Sequence, residues 1–190
     1  MEQMIRKAEK KDSSMLYDLL KEILEDMELD IFKKLPAEDL KELVVASMEE
    51  ENYRYSYRNA LVYEEDGNIA GCLFGYKGEL EQQLDEPLQK KLVQYGLDPT
   101  ISFFPDRETF AGEWYLDSII THKNYRGKGI AKKLIAALPD IVKKDQEKVI
   151  GLNCDQDNPT ARSVYEAVGF QKTSEMILSG HHYDHMQKTL

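Results

Sequence analysis

The stretch from Tyr115 to Leu134 (YLDSIITHKNYRGKGIAKKL) limits the possible folds more than any other part of the chain. Its first half is apolar and β-branched, which predicts a buried strand. A polar turn with two glycines follows, and then a helical pattern whose apolar face is formed by Ile130, Leu134, Ile135 and Leu138. A strand, a glycine-rich turn and a helix in this order create an anion site, because the first helical N–H groups lack partners and the helix dipole is positive there. The stretch therefore predicts a ligand that carries phosphate.

Two common phosphate-binding motifs do not fit this turn. A dinucleotide fingerprint needs a third glycine three residues after Gly129, where the chain has Lys132. A nucleoside-triphosphate loop needs Gly-Lys followed by Ser or Thr, whereas Gly129 follows Lys128. The residues do match the signature Arg/Gln-x-x-Gly-x-Gly/Ala, at Arg126, Gly129 and Ala131. The alternative is a solvent-exposed turn in which the glycines only allow the chain to reverse direction and bind no ligand.

A second block of sequence, residues 149–170, follows the first. The apolar run 149–154 predicts another strand, and Asn158 before a proline suits a helix N-cap with proline at the first helical position. Gly169 then ends the helix. The segment from Asn158 to Phe170 has the pattern Asn-x-x-Ala-x-x-x-Tyr-x-x-x-Gly-Phe. Together the two blocks resemble the GNAT superfamily of N-acetyltransferases, closely from Glu113 to the C-terminus and only in element order before it.

The resemblance implies a function and a set of binding residues. It implies that acetyl moves from acetyl-CoA to a primary amine of a small molecule or peptide, without a metal. The coenzyme's pyrophosphate would lie on the glycine turn, and the backbone of Ile119 and Ile120 would bond the pantetheine and the thioester oxygen. Asn158 would bond the pantetheine amides, although its cap role alone explains it equally well. The residues implied for acetyl-CoA are Ile119, Ile120, Thr121, Arg126, Gly127, Lys128, Gly129, Ile130, Ala131, Asn158 and Tyr165.

Acetyl transfer to an amine also requires proton transfer. A lysine-like amine has a pKa near ~10.4, so a carboxylate or an ordered water that removes its proton is useful at neutral pH. Asp117 is the first candidate, because polyamine-type relatives in the family carry an acidic residue at this position, and Glu113 is the second. A structural carboxylate is an equally good interpretation of Asp117. The resemblance makes Tyr165 the acid that protonates the departing thiolate, with packing on one helix face as the alternative.

The order of elements predicts the fold class. We expect an α/β fold with a mixed, mostly antiparallel central sheet, a parallel strand pair at the acetyl-CoA site and helices on both faces. Asp66-Gly67 predicts a hairpin turn. The segments behind this prediction are strands 4–8, 60–63 and 69–76 and helices from 12 or 13 to about 27 and from 36 to 48. Residues 1–190 form one predicted domain.

An insertion at about 78–112 interrupts this order. Residues 87–95 predict a helix that ends at Gly96. The aromatic residues after it are interpreted as a satellite hydrophobic cluster, with a wall of the acceptor pocket as the alternative: Phe103, Phe104, Phe110 and Trp114. The acidic residues of the insertion are interpreted singly as solvated surface: Glu79, Glu81, Asp85, Glu86, Asp106 and Glu108. A loop at 30–35 can contact substrate if the family pattern holds.

Composition limits the partners. The chain has 190 residues, enough for one sizeable core, and a formal net charge of −10. This charge argues against nucleic acid as a partner and favours a cationic amine acceptor. The first residues are too charged for a signal peptide, and no apolar run is long enough for a membrane span. Cys72 and Cys154 fit buried, reduced thiols, so we expect a cytoplasmic protein.

The C-terminal residues predict a hairpin around Ser179-Gly180. Its histidines, His181, His182 and His185, do not predict a metal site, because strand alternation separates the last two and no Cys or carboxylate pattern completes a site. We interpret them as polar side chains of a turn. Two rival functions are considered. Tyr165 and a carboxylate near the thioester argue against a non-catalytic acyl-CoA-binding or sensory module of the same fold, and the missing third glycine and missing Gly-Lys-Ser/Thr argue against a nucleotide-binding α/β domain. The oligomeric state stays open, and a homodimer is compatible with the sequence.

Overall fold

The computed structural model describes residues 2–26 and 31–190. Its centre is a seven-stranded sheet in the order β1-β2-β3-β4-β5-β7-β6. The strands are β1 (Gln3–Lys7), β2 (Ala60–Glu65), β3 (Asn68–Lys77), β4 (Trp114–Thr121), β5 (Val149–Asp155), β6 (Gln171–Leu178) and β7 (His181–Thr189). Neighbouring strands are antiparallel except β4 and β5, which are parallel. The predicted sheet is therefore confirmed.

Helices pack on both faces of this sheet, as predicted. They are α1 (Ser13–Asp26), α2 (Ile31–Lys34), α3 (Ala37–Met48), α4 (Glu86–Leu92), α5 (Ile130–Ala136), α6 (Leu138–Lys144) and α7 (Pro159–Ala167). One buried cluster joins α1, α3 and α4 to one face of the sheet, and a second joins α5 and α6 to the other. Along β3, Phe74 faces the first cluster and Leu73 the second, so this strand is buried on both sides. Within the described residues, no helix has the length and apolar composition to cross a membrane.

Two segments of the structure differ in detail from the helices and loops that the sequence predicts. The predicted loop 30–35 contains the short helix α2, while residues 27–30, which include the predicted end of the first helix, lie outside the described residues. The apolar face that begins at Ile130 is divided between α5 and α6. Pro139 explains the division, because a proline lacks the N–H that would continue the ladder and its ring crowds the carbonyl of Ile135 four residues earlier.

Local turn chemistry agrees with the sequence. Asp66 and Gly67 have φ values of 51° and 79°, the left-handed backbone that a two-residue hairpin requires. Gly96 ends the helical segment of the insertion with a φ of 69°. Ser179 and Gly180 join β6 to β7 with φ values of 49° and 83°. Both cysteines are buried and unbridged, as expected.

The aromatic residues of the insertion do not form one satellite cluster, so that prediction is wrong. Phe103 is 4% exposed in the cluster beneath α1 and α3, and Phe104 packs against the same cluster. Phe110 is 44% exposed, and Trp114 lies on the opposite face of the sheet. Trp114 begins β4, and its indole Nε1 donates a hydrogen bond to Asp145 Oδ2 at 3.0 Å, just after α6.

Candidate active site

The parallel strands β4 and β5 part soon after they meet. Their Cα partners are Trp114 with Ile150 and Tyr115 with Gly151, and no further pairs join them in the described chain. In addition, β4 carries a bulge, because Phe74 pairs with Ser118 while the next residue of β3 pairs with Leu116. Asp117 is therefore the extra residue. Diverging strands leave backbone groups that can bond a ligand, and a bulge redirects the side chains beside it.

A cleft of about 520 Å³ lies beyond the parting of the strands. Its walls come from β4, α7, the second half of α1 and the two ends of the glycine turn, whereas Gly127, Lys128 and Gly129 are not among its lining residues. The residues expected to hold acetyl-CoA that line it are Ile119, Ile120, Thr121, Arg126, Ala131, Asn158 and Tyr165. Ile130 is different, because its side chain is 1% exposed and packs in the core, so only its backbone can meet a ligand.

The glycine turn combines an unusual backbone with open space. Gly127 and Gly129 have φ values of 80° and 73°, and a Cβ at either position would have no atom within 4 Å. Gly129 is also the N-cap of α5. The glycines are therefore required by the backbone conformation rather than by crowding. The open space lets an anion approach the unpaired N–H groups at the start of α5.

Two cations of the turn are held by carboxylates. Arg126 Nη2 lies 2.9 Å from Glu22 Oε2 of α1, which connects the two sides of the cleft. Lys128 Nζ lies 2.8 Å from Glu65 Oε1 and holds the pKa of that carboxyl below its usual value. Both cations are substantially exposed, with side chains 61% and 48% exposed, so each can be reached from solvent. A phosphate group can therefore replace these carboxylates as the partner of the two cations.

Tyr165 combines the two roles considered for it. Its ring meets Phe170 edge-on at 6.1 Å between centroids, which is core packing. The residue also lines the cleft, and no group in the described residues hydrogen-bonds its hydroxyl. Burial raises the pKa of the phenol, with a smaller contribution from Cys154, so the hydroxyl is protonated at neutral pH. The Tyr165 hydroxyl is therefore a protonated donor at the cleft that has no hydrogen-bond partner among the described residues.

The Asp117 carboxylate is enclosed by donors. Its Oδ2 accepts hydrogen bonds from the Tyr76 hydroxyl at 2.7 Å and from Arg54 Nη1 at 3.3 Å. Its Oδ1 accepts one from Ser118 Oγ at 2.8 Å, and the side chain is 3% exposed. These contacts have the form expected of a structural carboxylate. They also hold Asp117 firmly beside the parting of the strands.

Arg54 organises the carboxylates on this face of the sheet. Its side chain is 1% exposed, it bonds both oxygens of Asp85 at 2.9 and 3.1 Å, and its guanidinium stacks 3.9 Å from the Phe104 ring centroid. Its Nη1 also lies 3.6 Å from Glu108 Oε1. Burial raises the pKa of Asp85 despite this neighbouring positive charge. A buried arginine among three carboxylates is therefore one of the strongest electrostatic features of the described structure.

Glu113 lies away from the cleft in a buried network. Its side chain is 1% exposed and accepts hydrogen bonds from Phe110 N at 2.9 Å and Gln187 Nε2 at 2.8 Å. His185 Nε2 lies 2.9 Å from the same carboxylate. A Cβ on Gly151 would come within 2.0 Å of Glu113 Oε2, so the glycine makes room for this carboxylate. The interpretation of His185 as a turn residue is wrong, because it lies inside β7 and is 1% exposed.

The comparisons with known proteins agree with this geometry. The sequence profile described as the Acetyltransferase (GNAT) family matches residues 16–170. The chain belongs to the GNAT family. A crystal structure of an acetyltransferase is 41% identical, has a TM-score of 0.91 and covers 98% of both chains. N-alpha-acetyltransferase 30 of Schizosaccharomyces pombe is 32% identical over 108 residues, which span 48% of this chain and 72% of that protein. The structure of yncA from Salmonella typhimurium with its cofactor acetyl-CoA shares the fold, with a TM-score of 0.61, 16% identity and coverage of 100% of this chain and 95% of that chain.

This GNAT chain has three largely buried carboxylates that the sequence interpretation assigned to solvated surface. Glu81 is 5% exposed, and the side chains of Asp85 and Glu108 are 15% and 16% exposed, although all three lie in the charged insertion. Sequence alone offers no signal for them, since neighbouring acidic residues in the insertion, such as Glu79 and Asp106, are exposed. In the described residues, no group of three or more His, Cys, Asp and Glu is arranged to hold a metal ion.

Proposed function

We propose that this GNAT protein is an N-acetyltransferase that moves acetyl from acetyl-CoA to a primary amine of a small molecule or peptide. The observation that carries the proposal is the cleft beyond the parting of β4 and β5, which has the two ends of the glycine turn and Tyr165 in its walls. A ligand with a phosphate end and a thioester end matches this arrangement. We further propose that residues 1–190 act as one domain in the cytoplasm.

Each wall of the cleft suits one part of acetyl-CoA. We propose that the turn from Arg126 to Ala131 holds the pyrophosphate, with Arg126 and Lys128 moving from their carboxylates to the phosphates. The backbone of Ile119, Ile120 and Thr121 would pair with the pantetheine arm, because these residues lie where β5 no longer does. Asn158 uses its Oδ1 to cap α7 at 3.0 Å from Ala161 N, so its amide N–H groups can donate to the pantetheine.

The proposed reaction needs a proton donor for the leaving thiolate. Tyr165 is the proposed donor, since its hydroxyl is protonated and has no partner within the described residues. Asp117 and Glu113, which the sequence suggested for the amine proton, are each surrounded by donors and buried. The proposed contribution of Asp117 is to set the charge of the acceptor side, and that of Glu113, which lies away from the cleft, is structural. The net charge of −10 supports a cationic acceptor.

Binding and turnover measurements test the proposal together. Calorimetry should show binding of acetyl-CoA but not of NAD or ATP, and a thiol-release assay should show turnover with at least one amine from a panel of polyamines, aminoglycosides, amino acids and peptides. For a cationic acceptor, kcat/KM should fall as ionic strength rises toward about 0.1 M, where the Debye length shrinks to roughly 10 Å. Acetyl-CoA binding without turnover on any amine would favour the alternative function, a non-catalytic acyl-CoA-binding or sensory module.

A further inference from the structure

We propose that Glu108, in the insertion before β4, is the catalytic residue that takes the proton from the amine acceptor. The proposal rests on the acetyl transfer proposed above and assigns its general base. Neither of the two carboxylates that the sequence favoured has this role in the proposal.

The position of Glu108 is the first argument. Its Oε2 accepts a hydrogen bond from the Tyr115 hydroxyl at 3.0 Å, and its backbone carbonyl accepts one from Asn153 Nδ2 at 2.9 Å. Tyr115 is the last residue of β4 that pairs with β5, and its partner there is Gly151. Asn153 lies two residues further along β5. Glu108 therefore bridges the two strands where they part, which is the place proposed for the thioester end of acetyl-CoA.

The rigidity of this position is the second argument. The buried carboxylate of Glu81 accepts hydrogen bonds from Glu108 N at 2.8 Å and from Thr109 N at 3.2 Å. Asn153 Nδ2 also lies 3.1 Å from the Tyr115 hydroxyl, so the side chain that supports Glu108 is itself held. A catalytic group must keep its geometry during the reaction, and these contacts hold the Glu108 backbone and carboxylate in one place.

The availability of its oxygens is the third argument. Asp117 and Glu113 each accept three hydrogen bonds or close pairs, and their side chains are 3% and 1% exposed. Glu108 is 16% exposed and receives one hydrogen bond on its carboxylate, from Tyr115. Arg54 Nη1 is 3.6 Å from Oε1, which is too long for a hydrogen bond. Oε1 accepts no hydrogen bond within the described residues and has only the 3.6 Å ion pair with Arg54, so we assign it as the oxygen that meets the ammonium group.

The electrostatic surroundings suit a base. Burial, and next the negative charge of Asp117, raise the pKa of Glu108 to about 8, while Arg54 opposes this rise. Glu81 is a further negative charge near it. The phenols that interact with it are Tyr55, Tyr76, Tyr115 and Tyr183. A carboxylate of ordinary pKa would hold an ammonium proton roughly 10³-fold less well than one near pKa 8, so the raised value makes Glu108 the better proton acceptor.

The proposed proton path balances. Glu108 Oε1 accepts one proton from the ammonium nitrogen, and the free amine attacks the thioester carbonyl carbon. A C–N bond forms, the C–S bond breaks, and the thiolate takes a proton from the Tyr165 hydroxyl. The second proton on nitrogen returns through solvent to the Tyr165 phenolate, and Glu108 releases its proton to solvent. Amide, coenzyme A thiol and one proton are the products.

The test compares Glu108→Gln with the wild type and with Asp106→Asn. Asp106 lies in the same segment and is exposed, and asparagine can still accept its hydrogen bond from Ser179 N, so this control removes a charge without touching the cluster. We expect kcat/KM of Glu108→Gln to fall by about 10²-fold or more, with acetyl-CoA affinity and circular dichroism unchanged. The control should retain wild-type kcat/KM.

The pH profile of kcat/KM identifies the group that acts as the base. With two acceptors, an alkylamine and its fluorinated analogue of lower pKa, the wild type should show a rising limb of kcat/KM near pH 8 that is the same for both. This limb should be absent in Glu108→Gln. In Asp117→Asn it should move to lower pH, because a negative charge near Glu108 is gone and Arg54 is released toward it.

Three outcomes would overturn the proposal. A folded Glu108→Gln protein with wild-type kcat/KM, or with the limb near pH 8 intact, would exclude Glu108 as the base while leaving acetyl transfer in place. A limb that disappears in Asp117→Asn and persists in Glu108→Gln would assign the base to Asp117. Absence of turnover by the wild type on any amine would remove the proposed function, and the base assignment with it.

Discussion

Replacing Glu108 by glutamine should change how the stability of the protein depends on pH. In the folded protein, burial and the charge of Asp117 raise the pKa of Glu108 from an ordinary value of 4.5 to about 8. Between these values the folded state binds more protons than the unfolded chain. The free energy of unfolding of the wild type must therefore fall as pH rises through this window. Glutamine does not titrate, so the free energy of unfolding of the variant does not fall with pH for this reason.

The structure gives the size of the effect. Each pKa unit corresponds to about 1.4 kcal/mol, so ionised Glu108 costs the folded state at most about 5 kcal/mol above pH 8 and about 3 kcal/mol at pH 7. Below pH 4.5 the side chain is neutral in both states and the cost disappears. Glutamine keeps an oxygen that accepts the Tyr115 hydroxyl. We therefore expect Glu108→Gln to gain about 2–5 kcal/mol over the wild type near pH 8.5 and close to nothing near pH 4.

Urea unfolding followed by tryptophan fluorescence measures this difference. Trp114 is the one tryptophan of the chain and is 3% exposed, so its emission reports loss of the core. Titrating groups that do not interact with Glu108 contribute equally to both proteins and cancel in the difference. Asp106→Asn again serves as the control and should follow the wild type. A difference between Glu108→Gln and wild type that is constant from pH 4 to 9, or that grows toward acid, would refute the reasoning.

Three further predictions concern the cleft and its support. Gly129→Val should abolish acetyl-CoA binding in calorimetry while costing only about 1–2 kcal/mol of stability, because the backbone is left-handed there and the space around it is open. Tyr165→Phe should lower kcat by about 10²-fold with acetyl-CoA affinity unchanged, and an equal kcat under chemistry-limited conditions would reduce Tyr165 to a packing residue. Arg54→Met should lower the free energy of unfolding at pH 7 by about 3–5 kcal/mol, since buried carboxylates lose their counter-charge. The matched change Arg58→Met at an exposed pair should cost far less, and equal losses from the two changes would contradict the argument.

The parts of the fold that were predictable depend on local chemistry. Gly96, the Asp66-Gly67 turn and the cap at Asn158 each occur where the sequence suggested, because positive φ and capping bonds involve residues a few positions apart. The glycine turn before α5 is of the same kind. These local features, with the apolar runs between them, were enough to predict the mixed sheet and the glycine turn before α5.

The burial of the carboxylates in the insertion could not be predicted from any local rule. Asp106 is exposed and Glu108 is largely buried, although they are two residues apart in one acidic segment. The same is true of Glu79, whose side chain is 57% exposed, and Glu81, which is 5% exposed. Sequence pattern alone assigned all of these carboxylates to the surface.

What separates the buried carboxylates from the exposed ones is their partners. Arg54 meets Asp117 across 63 positions of the chain, and Asn153 meets Glu108 across 45. The sequence by itself determined the turns, the strands and the glycine turn before α5, because each depends on neighbours along the chain. Only the tertiary structure decided which carboxylates are buried and how they titrate, because desolvation and charge interactions depend on distance in space.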